Sequence, residues 1–157
     1  MKALAFTLKA WPLVALATIG LCYLTQVVAG WFGVDLPDQA NIAFVKEHAG
    51  WNVKFALICA QVVVLMPVAE EIVFRWLLWR ATKPGRPILA AGISAALFAA
   101  AHYLAQPWPD AAFLALFVFG LAQCWIYART NHLWCAMLNH ALFNLTNLVL
   151  LFVLPAA

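Results

Sequence analysis

Five long apolar runs, separated by short polar interruptions, organise the chain: residues 11–30, 52–80, 87–105, 111–127 and 132–154. A helix needs about 20 apolar residues to cross a bilayer, so each run predicts one membrane span. Lys2 and Lys9 precede the first run, and the small residues Ala29 and Gly30 close it. That start resembles a signal peptide, but the run exceeds the roughly 7–15 residues of a signal core, and a retained helix is expected. Residues 31–54 are the most polar part, with Asp35, Asp38, Lys46, Glu47, His48 and Lys54. Breaks at Pro37-Asp38 and Gly50 predict a loop followed by a short surface helix. Arg80, Lys83, Pro84, Gly85 and Arg86 form a basic turn, residues 106–110 a tight one, and Arg129-Thr130-Asn131 a third. The third run is rich in small residues (Ala90, Ala91, Gly92, Ser94, Ala95, Ala96 and 99–101), which allow neighbouring helices to approach closely.

Composition turns this pattern into a class. The 157 residues are 67% hydrophobic and 10% charged, against about 45–50% and about 25% in average globular chains. Such a chain has too few polar groups to cover itself in water. The expectation is an all-α, multi-pass membrane helix bundle of about five transmembrane helices, one domain over residues 1–157, with the lipid bilayer as its solvent. A net charge of +3 is too small and too dispersed for nucleic-acid binding. Cys22, Cys59, Cys124 and Cys135 fall in separate apolar runs and read as small buried hydrophobes. With the amino terminus inside, inner segments hold Lys2, Lys9, Arg80, Lys83, Arg86 and Arg129, and outer loops Lys46 and Lys54. The positive-inside rule then orients the chain N-in.

Against this background the segment 66–76 stands out, with Glu70, Glu71 and Arg75 inside hydrocarbon-like sequence. A charged residue there costs roughly 2.5–3.5 kcal/mol to insert, so partners or function must offset it. On a helix Glu71 and Arg75, at i and i+4, share a face, whereas Glu70 points elsewhere and needs another partner. Further along, His102 follows Phe98 by one turn; His140 and Asn144 share a face, which Asn147 continues. His132 reads as interfacial and His48 as solvated. At a rise of about 1.5 Å per residue, Glu70 lies about 15 Å from Arg80, His140 about 12 Å from His132, and His102 about 24 Å from Arg86. Glu70 and His140 are thus matched in depth, and His102 is not.

A carboxylate and an imidazole sharing one water can deprotonate it, and a second imidazole with an amide can donate hydrogen bonds to a developing oxyanion. That is sufficient for amide hydrolysis without a covalent intermediate or cofactor. The same side chains admit a divalent metal such as zinc on Glu70, His102 and His140. HExxH and GxSxG motifs are missing from the sequence. Two non-enzymatic readings remain: a proton or ion relay through Glu70, His102 and His140, and an immunity protein that binds a peptide without cutting it.

Taken in order, Glu70-Glu71-xxx-Arg75, Phe98-xxx-His102 and His140-xxx-Asn144 resemble the three motifs of the CAAX protease and bacteriocin-processing family (CPBP, also called Abi) of intramembrane proteases. The region 120–144, with Leu133-Trp134 and Asn139-His140, is similar as well, and the resemblance covers a core of about residues 55–148. It implies peptide-bond hydrolysis close to the carboxyl-terminal membrane anchor or sorting tag of a substrate protein. By the resemblance, Glu70 and His102 activate water, His140 and Asn144 stabilise the oxyanion, and Glu71 and Arg75 support the site. The family is also described as metalloproteases. Trp76 stands where a Gly commonly follows the arginine, and the small scaffold favours a dedicated bacterial inner-membrane processor over an enzyme for prenylated proteins.

Overall fold

The computed structural model describes residues 1–36, 40–82, 85–104 and 110–153, with main chain only at 40 and 41. Parts of the expected Pro37-Asp38 loop, the basic turn (83–84), the 105–109 segment and the tail from 154 lie outside the described residues. Six helices follow one another: α1 (Lys2–Trp31), α2 (Ala40–Glu47), α3 (Val53–Thr82), α4 (Pro87–Ala101), α5 (Phe113–Thr130) and α6 (Leu133–Val153). Helices α1, α3, α5 and α6 are long and apolar enough to cross a membrane. With its 15 residues, α4 rises only about 22 Å, short of the roughly 30 Å hydrocarbon core. The third expected span is therefore a shorter helix, with Ala90, Ser94, Ala95, Phe98 and Ala99 buried and Ile88, Leu89, Ile93 and Leu97 exposed. The polytopic helical bundle itself is as expected, and α2 is the short helix anticipated before the second span.

Large apolar side chains such as Leu13, Leu16, Val64, Leu65, Leu97 and Val149 face outward, while Glu71, Arg75, Ser94, Gln123, Asn139 and His140 are buried. That inside-out distribution suits lipid as the surrounding solvent, where polar groups must find partners within the protein. The first helix belongs to the same core. Its buried face (Thr7, Ala10, Val14, Ala15 and Thr18) recurs at helical spacing. Ala10, Val14 and Ala15 join a cluster with Phe98, Phe119 and Phe143. Thr7 and Thr18 donate to the carbonyls of Ala3 and Val14, so neither hydroxyl is stranded, and Trp11 donates from Nε1 to Thr146 on α6 at 3.2 Å.

Local chemistry sets the helix ends. Asn52 caps α3, its Oδ1 accepting from the Phe55 amide at 2.9 Å. Pro87 opens α4 at a position where a missing N–H costs nothing, and Asn131, left-handed at φ 56°, closes α5. Within α3 the helix widens to π geometry over Gln61–Leu65 and again over Ile72–Trp79, on either side of the two glutamates. The expected small-residue contact occurs between α4 and α5. A Cβ at Gly120 would sit 2.9 Å from the Ala95 Cα, so only glycine permits this approach. Gly120→Ala must push the two backbones apart, and a loss of about 1–3 kcal/mol is expected. Thermal unfolding of the detergent-solubilised protein measures it.

Candidate active site

The buried centre forms on α3. Glu71 and Arg75 are both fully buried and pair across one turn, Nε to Oε2 at 3.3 Å. Arg75 also donates from Nη2 to the Gly120 carbonyl at 3.1 Å, and its guanidinium lies 4.5 Å from the centre of the Phe98 ring. The close α4–α5 packing thus brings a backbone acceptor and an aromatic face to the cation, which suits the planar, multi-donor guanidinium.

His140 reaches this pair from α6. Its Nδ1 lies 2.9 Å from Glu71 Oε1. A carboxylate ion-paired with arginine only accepts, so Nδ1 carries a hydrogen and donates it. The opposite nitrogen, Nε2, faces Glu70 Oε2 at 3.6 Å, beyond a direct hydrogen bond. The partner that Glu70 required is therefore His140, in line with their matched depth. Glu70 retains 19% side-chain exposure against 0% for Glu71, so adjacent carboxylates occupy different environments. Phe119 lies 4.8 Å and Phe98 5.9 Å from the His140 ring, which walls it with apolar surface.

His102 stands at the end of α4 with Phe98 packed beside it at 4.8 Å, as expected. Its Nδ1 lies 2.9 Å from the Phe98 carbonyl, which only accepts, so a neutral ring leaves Nε2 as the basic nitrogen. Phe98 thus contacts both imidazoles, and no direct contact between His102 and Glu70 occurs among the described residues. Beside His102, Tyr103 donates its hydroxyl to Asp110 Oδ1, and that oxygen also accepts from the Ala112 amide at 2.7 Å. Burial, and then the Asp110 carboxylate, push the Tyr103 hydroxyl well above its ordinary pKa, so it remains a donor.

Asn144 is one turn beyond His140 and donates from Nδ2 to the Val62 carbonyl at 2.8 Å. Asn147 donates to Phe143 within its own helix and His132 stacks on Trp134; neither joins the centre. No disulfide forms among the described residues; Cys124 and Cys135 are buried as expected, whereas Cys22 and Cys59 are only half-buried. One further buried side chain, Gln123, escaped the sequence reading, and Asn139 entered it only through the family resemblance. Gln123 on α5 donates from Nε2 to Asn139 Oδ1 at 2.9 Å, beside His140 in sequence, and Gln123 Oε1 and Asn139 Nδ2 have no partner among the described residues. The signal for them was the cost of any polar group inside an apolar run, charged or not. Among the described residues no three His, Cys, Asp or Glu side chains group to hold a metal ion. Of the set Glu70, His102 and His140, only the first and last meet.

Arg75→Ala would leave Glu71 as an uncompensated buried charge, and a loss of about 3–5 kcal/mol is expected. Denaturation in mixed micelles tests this, and an unchanged midpoint contradicts it.

No curated protein and no solved structure matches the chain. Residues 50–146 match the family model described as type II CAAX prenyl endopeptidase Rce1-like. That match runs from α3 into α6, includes Glu70, Glu71, Arg75, Phe98, His102, His140 and Asn144, and covers more than half of the sequence. The chain is an integral membrane protein that belongs to the Rce1-like, CAAX-type family of intramembrane endopeptidases.

Proposed function

We propose that this protein hydrolyses a peptide bond near the carboxyl-terminal membrane anchor or sorting tag of a membrane-anchored substrate, using Glu70 to activate water. The supporting observation is the placement of the His140 ring between two unlike carboxylates, 2.9 Å from Glu71 and 3.6 Å from Glu70. Glu71 is neutralised by Arg75 and used up in orienting the ring. Glu70, partly open, is the carboxylate left for chemistry. One water can hydrogen-bond to Glu70 Oε2 and His140 Nε2 together at this separation.

The charge count fits the same roles. With Glu70 and Glu71 as carboxylates and Arg75 as guanidinium, an imidazolium at His140 would bring the four groups to a net charge of zero. An imidazolium donates from Nε2 while Nδ1 stays bound to Glu71. It therefore serves as an oxyanion donor when a tetrahedral intermediate forms. Asn144, on the same face of α6, supplies the second donor. His102, with Nε2 left basic by the Phe98 carbonyl, assists Glu70 in taking the proton from water and returns it to the leaving amine. The three candidate metal ligands do not converge, so no step is routed through a metal. The distribution of Lys and Arg supports N-in insertion, and the small scaffold supports a bacterial inner-membrane processor.

Comparing the carboxyl-terminal tails of membrane proteins in cells with and without this chain identifies the substrate; identical tails in both count against the proposal. Glu70→Gln and His102→Ala should each lower turnover by about 10²–10⁴-fold, the worth of a positioned acid or base, with unfolding unchanged. Near-natural turnover from either variant rejects its role, and a Glu70→Gln variant that retains full biological effect favours a peptide binder. Exhaustive chelation followed by metal analysis should leave turnover in place; its loss, restored by zinc, would return a metal to the scheme.

A further inference from the structure

Inside α3, the amide of Met66 bonds to the carbonyl of Gln61, five residues back. In that π register the next carbonyl, Val62, falls to the amide of residue 67. Residue 67 is a buried proline and has no N–H. The Val62 carbonyl is therefore left without its helical donor, and Asn144 Nδ2 from α6 donates to it at 2.8 Å. We propose that Pro67 is a positioning residue for Asn144: by withholding one backbone donor it creates the acceptor that fixes the asparagine amide. This rests on the proposed role of Asn144 as an oxyanion donor.

The physical reasons are specific. A terminal amide torsion is broad and two-fold in energy, so an asparagine side chain has little intrinsic preference for one orientation. A hydrogen bond to a backbone carbonyl removes that freedom, and inside lipid the freed carbonyl needs a donor in any case. With one Nδ2 hydrogen engaged by Val62, the amide plane is set and the second hydrogen is held in a defined direction. A π segment next to a functional site is a recurrent arrangement, and here it has an identifiable cause and recipient. The same proline lies one turn before Glu70 and Glu71, so the widened segment also sets their rotation against the first half of α3.

Pro67→Ala restores the missing N–H, so Val62 regains a helical donor that competes with Asn144 for its carbonyl and loosens the hold on the asparagine amide. With a synthetic peptide carrying the membrane anchor found by the tail comparison, turnover should fall at least tenfold with KM within twofold. The unfolding midpoint should stay level or rise, because alanine suits a helix interior better than proline. A purely structural proline predicts the reverse, a lowered midpoint with activity following it. In the full-length chain labelled with ¹⁵N-asparagine, the Asn144 side-chain amide signals should shift while those of Asn147 stay in place. Unchanged turnover together with unmoved Asn144 signals overturns the proposal. Should Pro67→Ala fail to fold, the ¹³C carbonyl signal of Val62 is compared between the natural chain and Asn144→Leu; it should move, and an unmoved signal is equally fatal. Shifted Asn144 signals in a protein that cleaves nothing would sink the hydrolase and leave this assignment standing. Cleavage that is indifferent to Pro67→Ala, with static signals, would sink the assignment alone.

Discussion

A single ion pair sealed in an apolar interior governs the rest of this molecule. Glu71 and Arg75 are both fully buried, and two charges withdrawn from solvent are tolerable only if their remaining hydrogen-bonding capacity is met nearby. The surrounding features answer part of that demand, while Glu71 Oε2, Arg75 Nε and Arg75 Nη1 have no hydrogen-bond partner among the described residues and rely on their mutual ion pair. Gly120 has no side chain, so α5 lies against Ala95 of α4 and its carbonyl accepts from the guanidinium. Phe98 covers the cation, and His140 takes the free oxygen of Glu71. Removing any of these would expose part of a charge to hydrocarbon.

Two adjacent glutamates occupy unlike environments beside this pair. Successive residues on a helix point in different directions, so Glu71 turns into the sealed core while Glu70 faces the partly open side. His140 spans the two environments with its two nitrogens. The imidazole thus has one nitrogen 2.9 Å from Glu71 and the other 3.6 Å from Glu70. Gln123 and Asn139 add a buried hydrogen bond between α5 and α6, right beside His140, although two of their polar atoms find no partner among the described residues.

Helix α3 departs from regular α geometry on both sides of the glutamates, and neighbouring helices take up the carbonyls within those stretches. Asn144 donates to Val62 and Ser94 to Phe74, at 2.8 and 2.7 Å. In lipid, unmet backbone groups are costly, so an irregular transmembrane helix must be matched by polar side chains on its partners. Both acceptor carbonyls lie within the π segments of α3.

Much of the centre was legible residue by residue. Charges inside an apolar run announce themselves, so Glu70, Glu71 and Arg75 were evident, as were their split orientations and the depth match of Glu70 with His140. His102, His140 and Asn144 were legible as polar residues on inward faces, and their order along the chain carried the family resemblance. Gln123 was not, because an uncharged amide in an apolar span gives a weaker signal. The short α4 was also missed, since hydropathy registers apolar length and not where a helix stops.

By itself the sequence determined the membrane solvent, the helical class, the Glu71–Arg75 pair and the family, because each depends on composition or on spacing along one helix. Only the tertiary structure decided that Glu70 faces His140, that His102 meets it only through Phe98, and that Asn144 serves the Val62 carbonyl. Those facts depend on the rotation and depth of one helix against another. They are set by packing contacts such as Gly120 on Ala95 and by the widened turns of α3, and no periodicity within a single span encodes them.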